Sequence, residues 1–132
     1  MTRKIIKPSK SPDPIGPYSH AISFKDMLFI SGQIPIDPAT GEIVIKSFSE
    51  QCHRVILNLK IILEAGGSSL DHVLKTTIFL KNIKKFNELN EVYSEYFNKS
   101  KPARACIEVS NLPKGVEIEM DAIAEIFTNK KT

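Results

Sequence analysis

Apolar residues recur along the chain with two different periods, and the switches between them mark the elements. Tyr18 to Phe24 and Met27 to Gln33 are short, largely apolar runs separated by Lys25-Asp26, a tight turn, so they read as two strands. The second ends at Ser31-Gly32-Gln33, and Arg3 to Lys7 is short enough for an edge strand ahead of both. Between them, Pro8, Pro12, Pro14 and Pro17 with Gly16 exclude helix and supply few ladder donors, which leaves an ordered irregular loop or a polyproline-like arm. Asp37-Pro38-Ala39-Thr40-Gly41 is a turn by composition. The period then lengthens. Cys52, Val55, Ile56, Leu59, Ile62 and Leu63 form a helical stripe, opened by the capping box Ser47-Phe48-Ser49-Glu50 and stopped by Gly66-Gly67. Leu57 and Ile61 widen that stripe and predict burial on more than one side. Val73 to Leu80 is β-branched and aromatic, hence a strand. A second helix runs from about Ile83 to Phe97, with Phe86, Leu89, Tyr93, Tyr96 and Phe97 on one face.

Two further strands close the chain. In Pro102 to Val109, Ala105, Ile107 and Val109 alternate with Arg104, Cys106 and Glu108. In Val116 to Ala124, Ile118, Met120, Ala122 and Ala124 alternate with Glu117, Glu119 and Asp121. If the two strands pair as a hairpin with both apolar faces inward, Arg104 and the carboxylates share the outer face, within one diagonal of each other. The order is therefore β-β-β-α-β-α-β-β, and two helices on one face of a mixed sheet make an α+β domain. The sheet's other side, carrying Ser31, Arg104, Cys106 and Glu119, is too mixed for plain solvent surface and too polar for a core. It is expected to line a cleft or a subunit interface.

Composition narrows the function classes. The 132 residues suit a single domain, residues 1–132, and a 42% hydrophobic and 25% charged content is that of a soluble globular protein. The net charge of +3 comes from scattered lysines, with local excesses at Arg3 to Lys10 and Lys81 to Lys85 that read as solvated faces rather than a nucleic-acid footprint. No apolar run reaches the ~20 residues of a membrane span, and the basic N-terminus is too interrupted for a signal peptide. Two cysteines make no disulfide framework, so a cytoplasmic location is expected.

The candidate chemistry follows from these patterns. Arg104 is flanked by Ala103 and Ala105, which leave its guanidinium fork accessible to a carboxylate, although a strand arginine is as often a surface ion-pair partner. Glu119 is a general acid/base candidate, but Glu117 and Asp121 share its face and spacing alone does not choose among them. Cys106 has no obvious histidine partner, which favours a small pocket-lining residue over a nucleophile; the neighbouring arginine would lower its pKa. Cys52 sits on the first helix's apolar stripe and reads as core. Asn90 falls on the apolar stripe of the second helix, where a buried amide must find partners. Tyr18 at a strand start and Ser31-Gly32 at a strand end suit ligand contact. Isolated His20, His53 and His72 supply no metal-ligand spacing, and no glycine loop opens a helix to cradle phosphate.

Four segments carry a resemblance when taken together and in order: Asp13-Pro14-Ile15-Gly16-Pro17-Tyr18-Ser19-His20-Ala21; Phe29-Ile30-Ser31-Gly32-Gln33-Ile34-Pro35; Pro102 to Val109; and Leu112-Pro113-Lys114-Gly115-Val116-Glu117-Ile118-Glu119. From about Pro12 to Ala124 the chain resembles the Rid family of reactive intermediate deaminases, also called the YjgF or L-PSP endoribonuclease family. The resemblance implies a chorismate-mutase-like subunit in a homotrimeric barrel, with helices outside and three clefts between subunits. It implies hydrolysis of enamine and imine intermediates, such as 2-aminoacrylate and 2-iminobutanoate, to 2-keto acids and ammonia without a cofactor or metal. Arg104 matches the arginine that grips the substrate carboxylate, and Glu119 the glutamate that positions water. Tyr18, Ser31, Gly32, Asn90 and Cys106 match pocket-lining positions. The short Asn98 to Lys101 loop and Ser110-Asn111 depart from the family's usual pattern and bear on substrate range. Two other functions compete: endoribonuclease action or translation inhibition, against which a site of one arginine among acids argues, and non-catalytic binding of keto acids or amino acids, which would need Arg104 but not Glu119.

Overall fold

The computed structural model describes residues 2–11 and 13–127; Met1, Pro12 and residues 128–132 lie outside the described residues. The elements follow in the expected order: β1 (Lys4–Ile6), β2 (Ala21–Phe24), β3 (Met27–Gln33), α1 (Phe48–Ala65), β4 (Val73–Leu80), α2 (Phe86–Phe97), β5 (Ala103–Glu108) and β6 (Ile118–Glu125). Ser47 caps α1 as its sequence requires, its hydroxyl accepting from Glu50 N–H at 3.1 Å. At the other end Gly67 takes φ +84°, a conformation that side chains other than glycine's rarely adopt. Short 3₁₀ turns at Leu70–His72, Ile83–Lys85 and Pro113–Gly115 were not visible as apolar periods.

The strands form one sheet in the order β1-β2-β3-β6-β4-β5. Every neighbouring pair is antiparallel except β4 and β5, which are parallel because α2 is the crossover joining them. The expected hairpin of β5 with β6 therefore does not form. Strand β6 inserts between β3 and β4, where its run of Ile118, Met120, Ala122 and Ala124 is buried throughout, while β5 with its arginine takes the edge.

Both helices cover one face of this sheet. Val55, Ile56, Leu59, Ile62 and Leu63 of α1, with Leu89 and Phe97 of α2, pack on Leu28, Ile30, Ile78, Leu80, Ile118 and Met120 to make the core. Leu57 and Ile61 stay half-buried, so α1 has one packed side rather than two. No helix among the described residues is long and apolar enough to cross a membrane.

Register assigns each side chain a face. Arg104 pairs with Thr76 and Thr76 with Ala122, and the last two are buried under the helices. Cys106 pairs with Ile78 and Ile78 with Met120 on that same side. Glu119 instead shares a row with Phe79 and Ile107 on the uncovered face, next to the row of Asp121, Thr77 and Ala105. Arg104 and Glu119 thus stand on opposite faces of the sheet, two strands apart, and the common face expected from a hairpin is corrected. The reason is that β5 lies at the sheet edge beside β4, where its apolar row of Ala103, Ala105 and Ile107 is exposed on the uncovered side while Arg104 and Cys106 face the helices.

Candidate active site

The arginine is held from three directions. Its Nη1–H donates to Asn90 Oδ1 at 2.8 Å, and its guanidinium carbon lies 4.8 Å from the centre of the Tyr93 ring and 5.4 Å from that of Phe86. Phe86, Asn90 and Tyr93 follow at i, i+4 and i+7 on α2, so one helical stripe supplies all three contacts. Asn90, whose amide needed a partner, has found it in Arg104. The Tyr93 hydroxyl shares a 2.8 Å hydrogen bond with the buried Thr76, which fixes the ring under the cation. Burial pushes the Tyr93 phenol up, outweighing the hydrogen bond from Thr76 and the charge of Arg104. Among the described residues the ion pair is Lys85 with Glu117, at 3.9 Å, so no described carboxylate neutralises Arg104. Lys101, Asn98 and Ser94 surround it in a depression of about 290 Å³.

Cys106 stands two residues on, facing the helices and packed against the core. Burial raises its thiol more than Arg104 lowers it, so the net shift runs opposite to the expected activation. Cys52 is fully buried, with its pKa pushed up to about 12 by burial, as a core thiol should be.

The second group gathers at the end of β3. A β-bulge between Ile30 and Gln33 brings Gly32 against Glu119, and a Cβ on Gly32 would collide with the Glu119 carboxylate. Ser31 Oγ–H donates to the Ser19 carbonyl at 2.7 Å, and Ser31 N–H to the His20 carbonyl at 2.9 Å, which fastens the loop carrying Tyr18 to this strand end. Glu119 is raised above the usual carboxylate range, first by burial and then by the charge of Asp121. Asp121 is itself raised by burial, opposed by hydrogen bonds from Thr77 and by Lys75. Glu117 leaves the group: it precedes β6 and its carboxylate turns to Lys85.

Tyr18 and Gly32 also line a cavity of about 450 Å³ between the proline-rich loop and the 34–41 segment, with His20, Asn58 and Lys114 in its wall. Asn58 is engaged structurally, donating to the Ile34 and Ile36 carbonyls at 3.2 and 2.8 Å. The site residues read from sequence therefore fall into two half-sites of one chain: Arg104, Asn90 and Cys106 on the helix side, and Tyr18, Ser31, Gly32 and Glu119 at the end of β3. Sequence reasoning missed the aromatic seat of Arg104, although the spacing of Phe86 and Tyr93 around Asn90 signalled it, and missed Thr76, whose partnership depends on tertiary register. Among the described residues no group of three or more His, Cys, Asp or Glu is placed to hold a metal ion.

The sequence and the fold are similar to those of known proteins. Residues 8–126 match the family described as Endoribonuclease L-PSP. A RutC family protein of Pyrococcus abyssi is 56% identical over 124 residues, covering 94% of this chain and 98% of its own. The human 2-iminobutanoate/2-iminopropanoate deaminase is 41% identical over 124 residues, covering 94% and 90%. Among solved structures, Escherichia coli TdcF with bound serine superposes with a TM-score of 0.87 at 38% identity, covering 94% of this chain and 99% of that one. A Rid-family protein, YyfA of Yersinia pestis, reaches 0.91 at 40% identity, covering 95% and 100%. With the expected order of elements, a single mixed sheet and a match over most of its length, the chain belongs to the Endoribonuclease L-PSP family, the Rid or YjgF proteins.

Proposed function

We propose that the protein hydrolyses short-lived 2-imino acids, and the enamines that tautomerise to them, to 2-keto acids and ammonia, at sites formed where two copies of a homotrimer meet. The observation that carries this reading is Arg104: a guanidinium oriented by Asn90 and two rings, without a described carboxylate partner. Such a fork takes a substrate carboxylate bidentately. The human relative's name and the serine bound in the TdcF structure support a small amino-acid-like ligand.

Because Arg104 and Glu119 occupy opposite faces, one chain does not bring them to a single small molecule. The uncovered sheet face, with Phe29 and Ile107 exposed, suits burial against further copies, and a cleft between copies would join the arginine of one to the glutamate of the next. There the carboxylate pairs with Arg104, and Glu119 takes a proton from a water that attacks the imine carbon. The carbon–oxygen bond forms as the carbon–nitrogen double bond becomes single. Proton return to nitrogen then lets ammonia leave as the carbonyl closes. Imines are electrophilic enough that orientation and one proton-transfer group suffice.

The test supplies imino acid from an L-amino-acid oxidase and follows 2-keto acid release in competition with semicarbazide. Arg104→Ala should lose about 100-fold in kcat/KM through the missing carboxylate clamp, and Glu119→Gln a similar factor through proton transfer. Parental activity in Arg104→Ala would overturn the reading; parental activity in Glu119→Gln would leave binding and remove the role in hydrolysis.

A further inference from the structure

The 450 Å³ cavity is far larger than the reaction on a three- or four-carbon imino acid needs. A water accounts for about 30 Å³ in the liquid, and pockets of 300–1,000 Å³ hold ligands of drug size, so six or seven non-hydrogen atoms leave most of this space empty. Gly32 ties the cavity to the chemistry. One side of it lines the space, and the other meets the Glu119 carboxylate so closely that any side chain there would collide. Tyr18 lines the same cavity as Gly32.

The remaining lining decides what fits. Pro14, Ile15, Ile34, Ile36, Pro38 and Pro113 supply apolar walls. Asp13 and Lys114 contribute opposite charges, so the rim favours neither anions nor cations. A rigid frame surrounds the space: the Asn58 amide pins the carbonyls of Ile34 and Ile36 to α1, and Asp37 closes the turn beyond by accepting from Gly41 N–H at 2.7 Å.

We infer that this cavity is the side-chain pocket of the proposed active site, and that it selects 2-imino acids with branched or extended apolar side chains, such as those formed from leucine, methionine or phenylalanine. The inference rests on the deaminase reading. With the reacting carbon beside Glu119 and the carboxylate on an arginine from the neighbouring copy, the carbons beyond it enter past Tyr18 and Gly32. Each methylene buried there contributes about fourfold, so a leucine-derived imine should exceed an alanine-derived one at least tenfold in kcat/KM.

The deciding experiment measures that ratio with imines generated by the oxidase from alanine, leucine, methionine and phenylalanine. Two variants that narrow the cavity accompany the parent: Ile15→Trp, at a residue 75% exposed where substitution leaves the core untouched, and Ile36→Trp. The leucine-to-alanine ratio should fall about tenfold in each, as the three carbons by which leucine exceeds alanine lose their space. Inhibition by 4-methyl-2-oxopentanoate should be tighter than by pyruvate in the parent and converge with it in Ile15→Trp. Hydrolysis of all four imines at similar rates, or a ratio unmoved by Ile15→Trp, would overturn the pocket assignment while leaving the deaminase standing. Failure to accelerate any imine would overturn both.

Discussion

Two carboxylates side by side on the uncovered face set the proton chemistry of Glu119. Asp121 lies two residues further along β6, and its charge adds to burial in raising Glu119. Replacing Asp121 by Asn removes that charge while keeping an oxygen for Thr77. The Glu119 pKa should then fall. Because in the proposed reaction the ionised form accepts the proton from water, the acid limb of a kcat/KM against pH profile should move to lower pH in Asp121→Asn, with the plateau little changed. A shift toward higher pH, or none, would separate Asp121 from the catalytic carboxylate. At this scale Arg104 stood out in the sequence as a cation in an otherwise bland strand. Tyr93 and Thr76 did not, since an aromatic on a helical stripe reads as core until the strand register places a guanidinium over it.

The helices and most strand limits were legible because each rests on a local signal. The Ser47 cap is the cleanest. Its hydroxyl satisfies one of the four free N–H groups at the start of α1, and Ser47→Ala should lower stability by about 1 kcal/mol, read as a smaller midpoint in urea unfolding with an unchanged slope. The face of β5 was not legible, and the cause is physical. Alternation identifies a core face only where the opposite face is wet. Here the uncovered side carries Phe29, Phe79, Ile107 and Ile123 beside Glu119 and Asp121, so apolar residues occur on both sides of the sheet and the alternation in β5 does not tell which is the core. The partner of β5 was equally hidden, because a parallel crossover through α2 leaves the same sequence trace as a helix followed by a hairpin.

For the whole molecule, the proposed reading makes the uncovered face the surface on which copies assemble, and the separation of Arg104 from Glu119 across the sheet would make assembly a condition of the proposed chemistry. A chain that keeps only one of the two residues is not thereby useless. In a homotrimer with shared sites, Arg104→Ala still lends its glutamate to one neighbour, and Glu119→Gln lends its arginine to the other. Refolded together in equal amounts, the two inactive proteins should recover about a quarter of parental activity, since each site draws its two residues independently from a mixed population. The same mixture assembled separately and then combined without subunit exchange should remain silent. Defects in this protein are thus expected to complement one another, so that loss is a property of the interface rather than of the chain.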